Sequence, residues 1–154
     1  MAITPGLVSD WTLEVAAYTT GAEPASYTRV YGITDFTPPG VSKSLEDDSD
    51  FDSGAWGSQT ATGLDYEISG TVKVPRATAT VDPGQEILRT AGRGVAEEGY
   101  VHFRVIKKGA TTGYAGVADA TFTEGGGSRT DLTKAEFTLA GRGELEDYTP
   151  VVTP

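Results

Sequence analysis

Residues 64–74 read LDYEISGTVKV, and this stretch alternates along its length. Leu64, Tyr66, Ile68, Val72 and Val74 fall on one phase; Asp65, Glu67, Ser69, Thr71 and Lys73 fall on the other. A period of two places successive side chains on opposite faces, so the stretch predicts a strand with one buried and one wet face. The same alternation recurs on both sides of it. Residues 11–17 put Trp11, Leu13, Val15 and Ala17 on one face, which makes Trp11 a core residue. Residues 28–34 predict a second strand, reached through a connection at 22–26 that contains Glu23-Pro24. Residues 100–106 oppose Val101, Phe103 and Val105 to His102 and Arg104, and residues 114–123 and 135–140 complete the set. Glycine occurs 20 times and proline 8 times, mostly between these runs, which is the spacing of turns in an all-β domain.

One helix interrupts the pattern. Asp82 stands before Pro83, and Gln85 follows three residues after Asp82. An acidic N-cap, proline at the first helical position and glutamine at the third form a helix start. Ile87, Leu88, Ala91 and Val95 then make one apolar stripe, and Gly92 and Gly94 end it near residue 94. The expected fold is mainly β: an antiparallel β-sandwich or barrel with one short α-helix and a long acidic loop.

That loop spans residues 38–59. Pro38-Pro39-Gly40 opens it, and Glu46, Asp47, Asp48, Asp50 and Asp52 face a single offsetting Lys43. Phe51 and Trp56 sit among these charges, and large aromatics need an apolar partner, so the segment is expected to be an arm that docks on something. Asp48, Asp50 and Asp52 alternate like the first ligands of a calcium loop. Ser53 stands where that loop needs glycine and Gln59 where it needs glutamate, so a solvated charge run is the better reading.

The rest of the composition narrows the function classes. The chain has 154 residues, which suits a single domain over 1–154, with an extended tail at 144–154. The absence of cysteine excludes disulfides, thiolate metal sites and a cysteine nucleophile. A net charge of −10 opposes gripping of nucleic acid. No apolar run approaches the roughly 20 residues of a membrane span, and the first residues lack the pattern of a signal peptide. His102, the one histidine, lies on a polar strand phase with no nucleophile motif beside it. Gly92-Arg93-Gly94 and Gly125-Gly126-Gly127 lack the lysine and helix start of a phosphate loop. No enzyme signal and no cofactor requirement emerge.

Taken in order, Trp11, the run Val30-Tyr31-Gly32-Ile33-Thr34-Asp35-Phe36, the arm from Leu45 to Trp56, the strand at 66–73 and the helix opened by Asp82-Pro83-Gly84-Gln85 resemble the major tail tube proteins of long-tailed, non-contractile bacteriophages. The similarity covers most of residues 8–142. It implies a small β-sandwich or barrel shared with the tube protein of type VI secretion. It further implies self-assembly into stacked, hexameric rings that form a hollow conduit for genome DNA. The implied partners are other copies of the chain, a tape measure protein, a tail terminator and tail-tip proteins. The implied location is the virion tail, after assembly in the host cytoplasm.

On this resemblance the arm supplies an assembly interface through Lys43, Glu46, Asp47, Asp48, Asp50, Phe51, Asp52 and Trp56. The polar strand phases supply the lumen wall, with Asp65, Glu67, Asp119, Thr121, Lys134, Glu136 and Thr138 as candidates. Negative charge suits such a wall because it repels phosphates. The alternatives are a β-sandwich module for carbohydrate binding or adhesion, stacking Trp11, Trp56 and tyrosines on sugars, and, less well supported, a small hydrolase.

Overall fold

The computed structural model describes residues 2–150. Its elements run β1 (Trp11–Ala17), β2 (Thr28–Arg29), β3 (Ile33–Asp47), β4 (Gln59–Lys73), α1 (Pro83–Ala91), β5 (Tyr100–Lys107), β6 (Gly113–Glu124) and β7 (Lys134–Tyr148). The seven strands form one antiparallel sheet in the order β2-β1-β5-β6-β7-β4-β3.

The chain itself forces this sheet to curl. β2 borders one edge and β3 the other, yet only Val30, Tyr31 and Gly32 separate them. The four Cα steps from Arg29 to Ile33 cover at most roughly 14 Å, so the two edges must approach each other. They do: the Trp11 ring of β1 lies 6.0 Å from the Phe36 ring of β3. Gly32, at a φ of 82°, supplies the turn, and its carbonyl accepts from the Lys73 amide at 2.8 Å. The strand expected at 28–34 is therefore two strands joined by a crossing segment, and this segment closes the barrel.

The apolar phases all point into the curl. Leu13, Val15, Ile68, Val72, Val101, Phe103, Val105, Phe137 and Leu139 are buried there. Each fully buried side chain of this size contributes about 1.5–3 kcal/mol of hydrophobic stabilisation.

α1 plugs the opening. Asp82 caps it, accepting from the Gln85 amide at 3.1 Å and from the Tyr31 amide at 3.2 Å. Gln85 is buried, and its side-chain amide donates to the carbonyls of Tyr31 at 2.9 Å and Lys73 at 2.8 Å. One residue thus ties the helix to both sides of the seam. Leu88 and Ala91 carry the buried stripe and Ile87 flanks it. Val95 lies beyond the helix and is exposed, because α1 ends at Ala91 and a 3-10 turn follows at Ala96–Gly99.

Gly84 lets the helix sit this close. A Cβ there would meet the Arg29 carbonyl oxygen at 2.6 Å and the Val30 Cα at 2.9 Å. Alanine ordinarily favours a helix over glycine by about 1 kcal/mol. Here backbone atoms block it, and overpacking costs about 1–3 kcal/mol, so Gly84→Ala is expected to lower the melting temperature by roughly 5 °C. Thermal unfolding followed by circular dichroism checks this; a rise in melting temperature would show that the helix can move away.

Candidate functional site

Half of the expected loop at 38–59 is strand. β3 and β4 pair from Ile33↔Val72 out to Asp47↔Gln59, leaving only residues 48–58 as a connecting tip. Pro38 and Pro39 are accommodated at a register shift between Thr37 and Gly40, on an edge strand where no amide is owed to a neighbour.

The support from β7 ends early. β4 pairs with β7 only up to Glu67↔Ala140, after which β7 continues along β6 to Tyr148. Residues 144–148 of the segment expected to be an extended tail form the end of β7, and 151–154 lie outside the described residues. Beyond Glu67 the β3–β4 hairpin runs on as a two-stranded ribbon. The eight residues 59–66 extend it by roughly 27 Å at strand rise.

The core's apolar phase continues onto this ribbon without a cover. Val41 pairs with Tyr66, and Lys43 pairs with Leu64, so these four share the core-facing side. Tyr66 is buried, but Leu64 is 64 % exposed, and Val41 and Leu45 are exposed too. The alternation that predicts Leu64 as a core residue is correct in phase; the body of the protein simply stops before reaching it.

At the tip the carboxylates serve the turn. Asp47 accepts from the Ser49 amide at 2.8 Å, and Asp48 accepts from the Thr60 hydroxyl. Asp50 accepts from the Asp52 amide at 3.0 Å and the Ser53 hydroxyl at 3.1 Å. Glu46 and Asp52 are exposed beside them. Phe51 is fully exposed and Trp56 is 85 % exposed. An ordered turn therefore displays two aromatics with nothing to cover them.

The hydrogen bonds from Ser49 hold the Asp47 carboxyl below the ordinary aspartate value of 3.8, and those from Thr60 and Ser58 do the same for Asp48. A carboxyl whose folded value is depressed stabilises structure above its unfolded value and loses that contribution as pH falls through the folded one. The tip is expected to keep its turn at neutral pH and to loosen only below pH 3.8. Hydrogen exchange at the Ser49 amide reads this directly; loss of protection already at pH 6 would contradict it.

The second surface is the outward face of the sheet, which register assembles into rows. Tyr100, Asp119, Ala140, Glu67 and Gly40 stand side by side across β5, β6, β7, β4 and β3. The next rows are Thr121, Thr138, Ser69 and Thr37, then Thr123, Glu136, Thr71 and Asp35. Lys134 lies beside Lys73 at the end. Six of the seven predicted wall residues, Glu67, Asp119, Thr121, Lys134, Glu136 and Thr138, thus share one polar face. Asp65 is opposite Ser42, out on the ribbon.

The β1–β5 side of the same face differs. Arg104 donates to Glu14 at 2.6 Å and stacks on Tyr27 and Tyr148, with its guanidinium 4.1 and 4.9 Å from their ring centres. Burial, more than the nearby charges, raises the Tyr27 phenol above its ordinary 10.0. His102 is half-buried there, its ring 5.4 Å from that of Tyr18. The sequence hinted at none of these contacts, because they join strands far apart in the chain.

No protein-family model matches the chain, and no curated protein sequence does. Its fold, in contrast, is that of solved tail tube proteins. It superposes on the tail of an empty gene transfer agent particle, refined with C6 symmetry, with a TM-score of 0.69 at 17 % identity over 92 % of this chain and 98 % of that one. The virion of a native gene transfer agent particle gives 0.68 at 14 % identity, covering 94 % and 100 %. The SPP1 tail tube gives 0.62 at 12 % identity, covering 96 % and 81 %.

Proposed function

We propose that this chain is a structural subunit that polymerises into a phage-type tail tube. The observation that carries the reading is the ribbon: Val41, Leu45, Leu64, Phe51 and Trp56 are presented on ordered backbone without a partner in the monomer. Such a surface needs a second molecule to cover it. The fold shared with assembled tails supports the choice of other copies of this chain as that molecule.

Stacked six-membered rings are the arrangement this reading adopts, in keeping with the C6 symmetry of the gene transfer agent tail. The rows of Glu67, Asp119, Thr121, Glu136 and Thr138 form the wall of the channel, hydrophilic and acidic, so that DNA passes without sticking. A tape measure protein, a tail terminator and tail-tip proteins complete the virion tail, built in the host cytoplasm. The role is non-enzymatic. A carbohydrate module is disfavoured because Trp11 is turned inward against Phe36 and offers no platform.

Electron microscopy of concentrated purified protein tests the reading. Hollow tubes with a ring repeat are expected; a monomer at every concentration overturns it. In a reconstruction of those tubes, a lumen lined chiefly by Lys and Arg would overturn the assignment of the wall.

A further inference from the structure

The two ends of the long β4 strand carry opposite charge. At the Gln59 end stands the tip, with Glu46, Asp47, Asp48, Asp50 and Asp52 against Lys43. At the other end Lys73 lies directly opposite Lys134 on β7. Like charges in a cross-strand pair destabilise a sheet, so this pair is a cost to the isolated subunit.

Two more cations stand at the same end: Arg76 in the loop after β4, and Arg129 in the β6–β7 loop. The two loops are tied by the Val74 amide, which donates to the Thr133 carbonyl at 3.1 Å. All four cations are exposed, and among the described residues none makes an ion pair.

The acids nearby are engaged or set back. Asp131 accepts from the Ser128 amide, Glu124 binds Arg89 at 2.6 Å, and Asp82 caps α1. Asp35 and Glu136 lie one row further in on the polar face. The same end also exposes Leu132 and Val81, apolar counterparts for Phe51 and Trp56.

The acidic tip cannot reach this end of its own chain. β4 has 15 residues and so spans roughly 50 Å between the two. We propose that the acidic, aromatic tip of one copy docks on the basic rim of a second copy formed by Lys73, Arg76, Arg129 and Lys134, with Leu132 and Val81 receiving its aromatics. This contact is heterologous and head-to-tail, so it propagates and does not close on a pair. It rests on the tube reading and specifies the axial joint between successive rings.

Charge reversal tests the pairing. Glu46→Lys/Asp52→Lys takes the net charge of the tip from −4 to 0 and spares the carboxylates that hold its turn. Arg76→Glu/Lys134→Glu takes the net charge of the rim from +4 to 0. Each variant alone is expected to raise the concentration needed for tubes by about tenfold or more, since the attraction between tip and rim is lost. Rings persist, because lateral contacts are untouched. An equimolar mixture recovers tubes in part, as the unaltered tip of one variant then meets the unaltered rim of the other.

The neutral pair Glu46→Gln/Asp52→Asn gives a smaller loss that shrinks with added salt. Matching thermal unfolding curves show that the variants fold. Variants that assemble like the parent, or a mixture that fails to recover, overturn the proposed joint and leave the tube reading standing. A parent chain that never assembles overturns both.

Discussion

Trp56→Ala abolishes tube formation and leaves the melting temperature of the subunit within about 2 °C of the parent. The side chain is 85 % exposed on the ribbon tip and belongs to no part of the core. Surface substitutions of that kind change stability by about 0.5 kcal/mol or less. On the proposed joint the same indole becomes a buried anchor, and truncating such an anchor costs about 2 kcal/mol or more. Each added subunit loses one such contact, so the critical concentration rises by roughly thirtyfold or more, the factor that 2 kcal/mol gives. Sedimentation velocity and negative-stain microscopy read the assembly, and circular dichroism reads the fold. Tubes that still form from a subunit that melts several degrees earlier would make Trp56 a folding residue and remove it from the interface.

Tyr66→Ala has the largest expected effect on folding. Tyr66 is the last buried residue before the ribbon leaves the body, and its ring lies against Gly141 of β7 with its hydroxyl beside Gly116 of β6. A Cβ at Gly141 would collide with its ring, and one at Gly116 would meet its hydroxyl at 2.6 Å. Its ring lies 5.9 Å from that of Phe103, and its hydroxyl donates to the Val117 carbonyl at 3.1 Å. Burial, assisted by Glu146, pushes the phenol above its ordinary 10.0, so it remains a neutral donor.

Removing a buried aromatic costs about 3–5 kcal/mol, which for a chain of this size lowers the melting temperature by roughly 10 °C. Tyr66→Phe removes only the hydrogen bond and costs about 1 kcal/mol. The alanine variant also loses the clamp at the ribbon's base, so ribbon amides exchange faster at temperatures where the sheet is intact. Equal stability of the alanine variant and the parent would show that the ring is not seated between the sheet's inner strands.

The local features are legible in the amino-acid sequence. The helix start at Asp82-Pro83-Gly84-Gln85 is written in four residues because capping is a contact over three positions, and α1 begins there. The strand phases are legible because alternation needs only one wet and one dry face, and Phe103, Ile68 and Leu139 are buried as their phase requires. The arm's chemistry, acidic with Phe51 and Trp56 among the charges, is equally evident, but its form is not. Residues 38–47 open on two prolines and carry little alternation, since an edge ribbon solvated on both sides has no dry face to impose one.

Tertiary structure decided the rest, for reasons of register and reach. The break at Val30–Gly32 follows from curling a seven-stranded sheet until its edges meet, which no window of sequence reports. Leu64 has the phase of a core residue and yet is exposed, because whether a phase is covered depends on how far β7 runs beside it. Lys73 and Lys134 are far apart in the chain, and only the β4–β7 register sets them side by side. Composition and periodicity determined that this is an acidic β protein with one helix and a charged aromatic arm. Strand pairing over long sequence separations decided where the arm projects, which polar residues share a face, and which charges lie at opposite ends of the molecule.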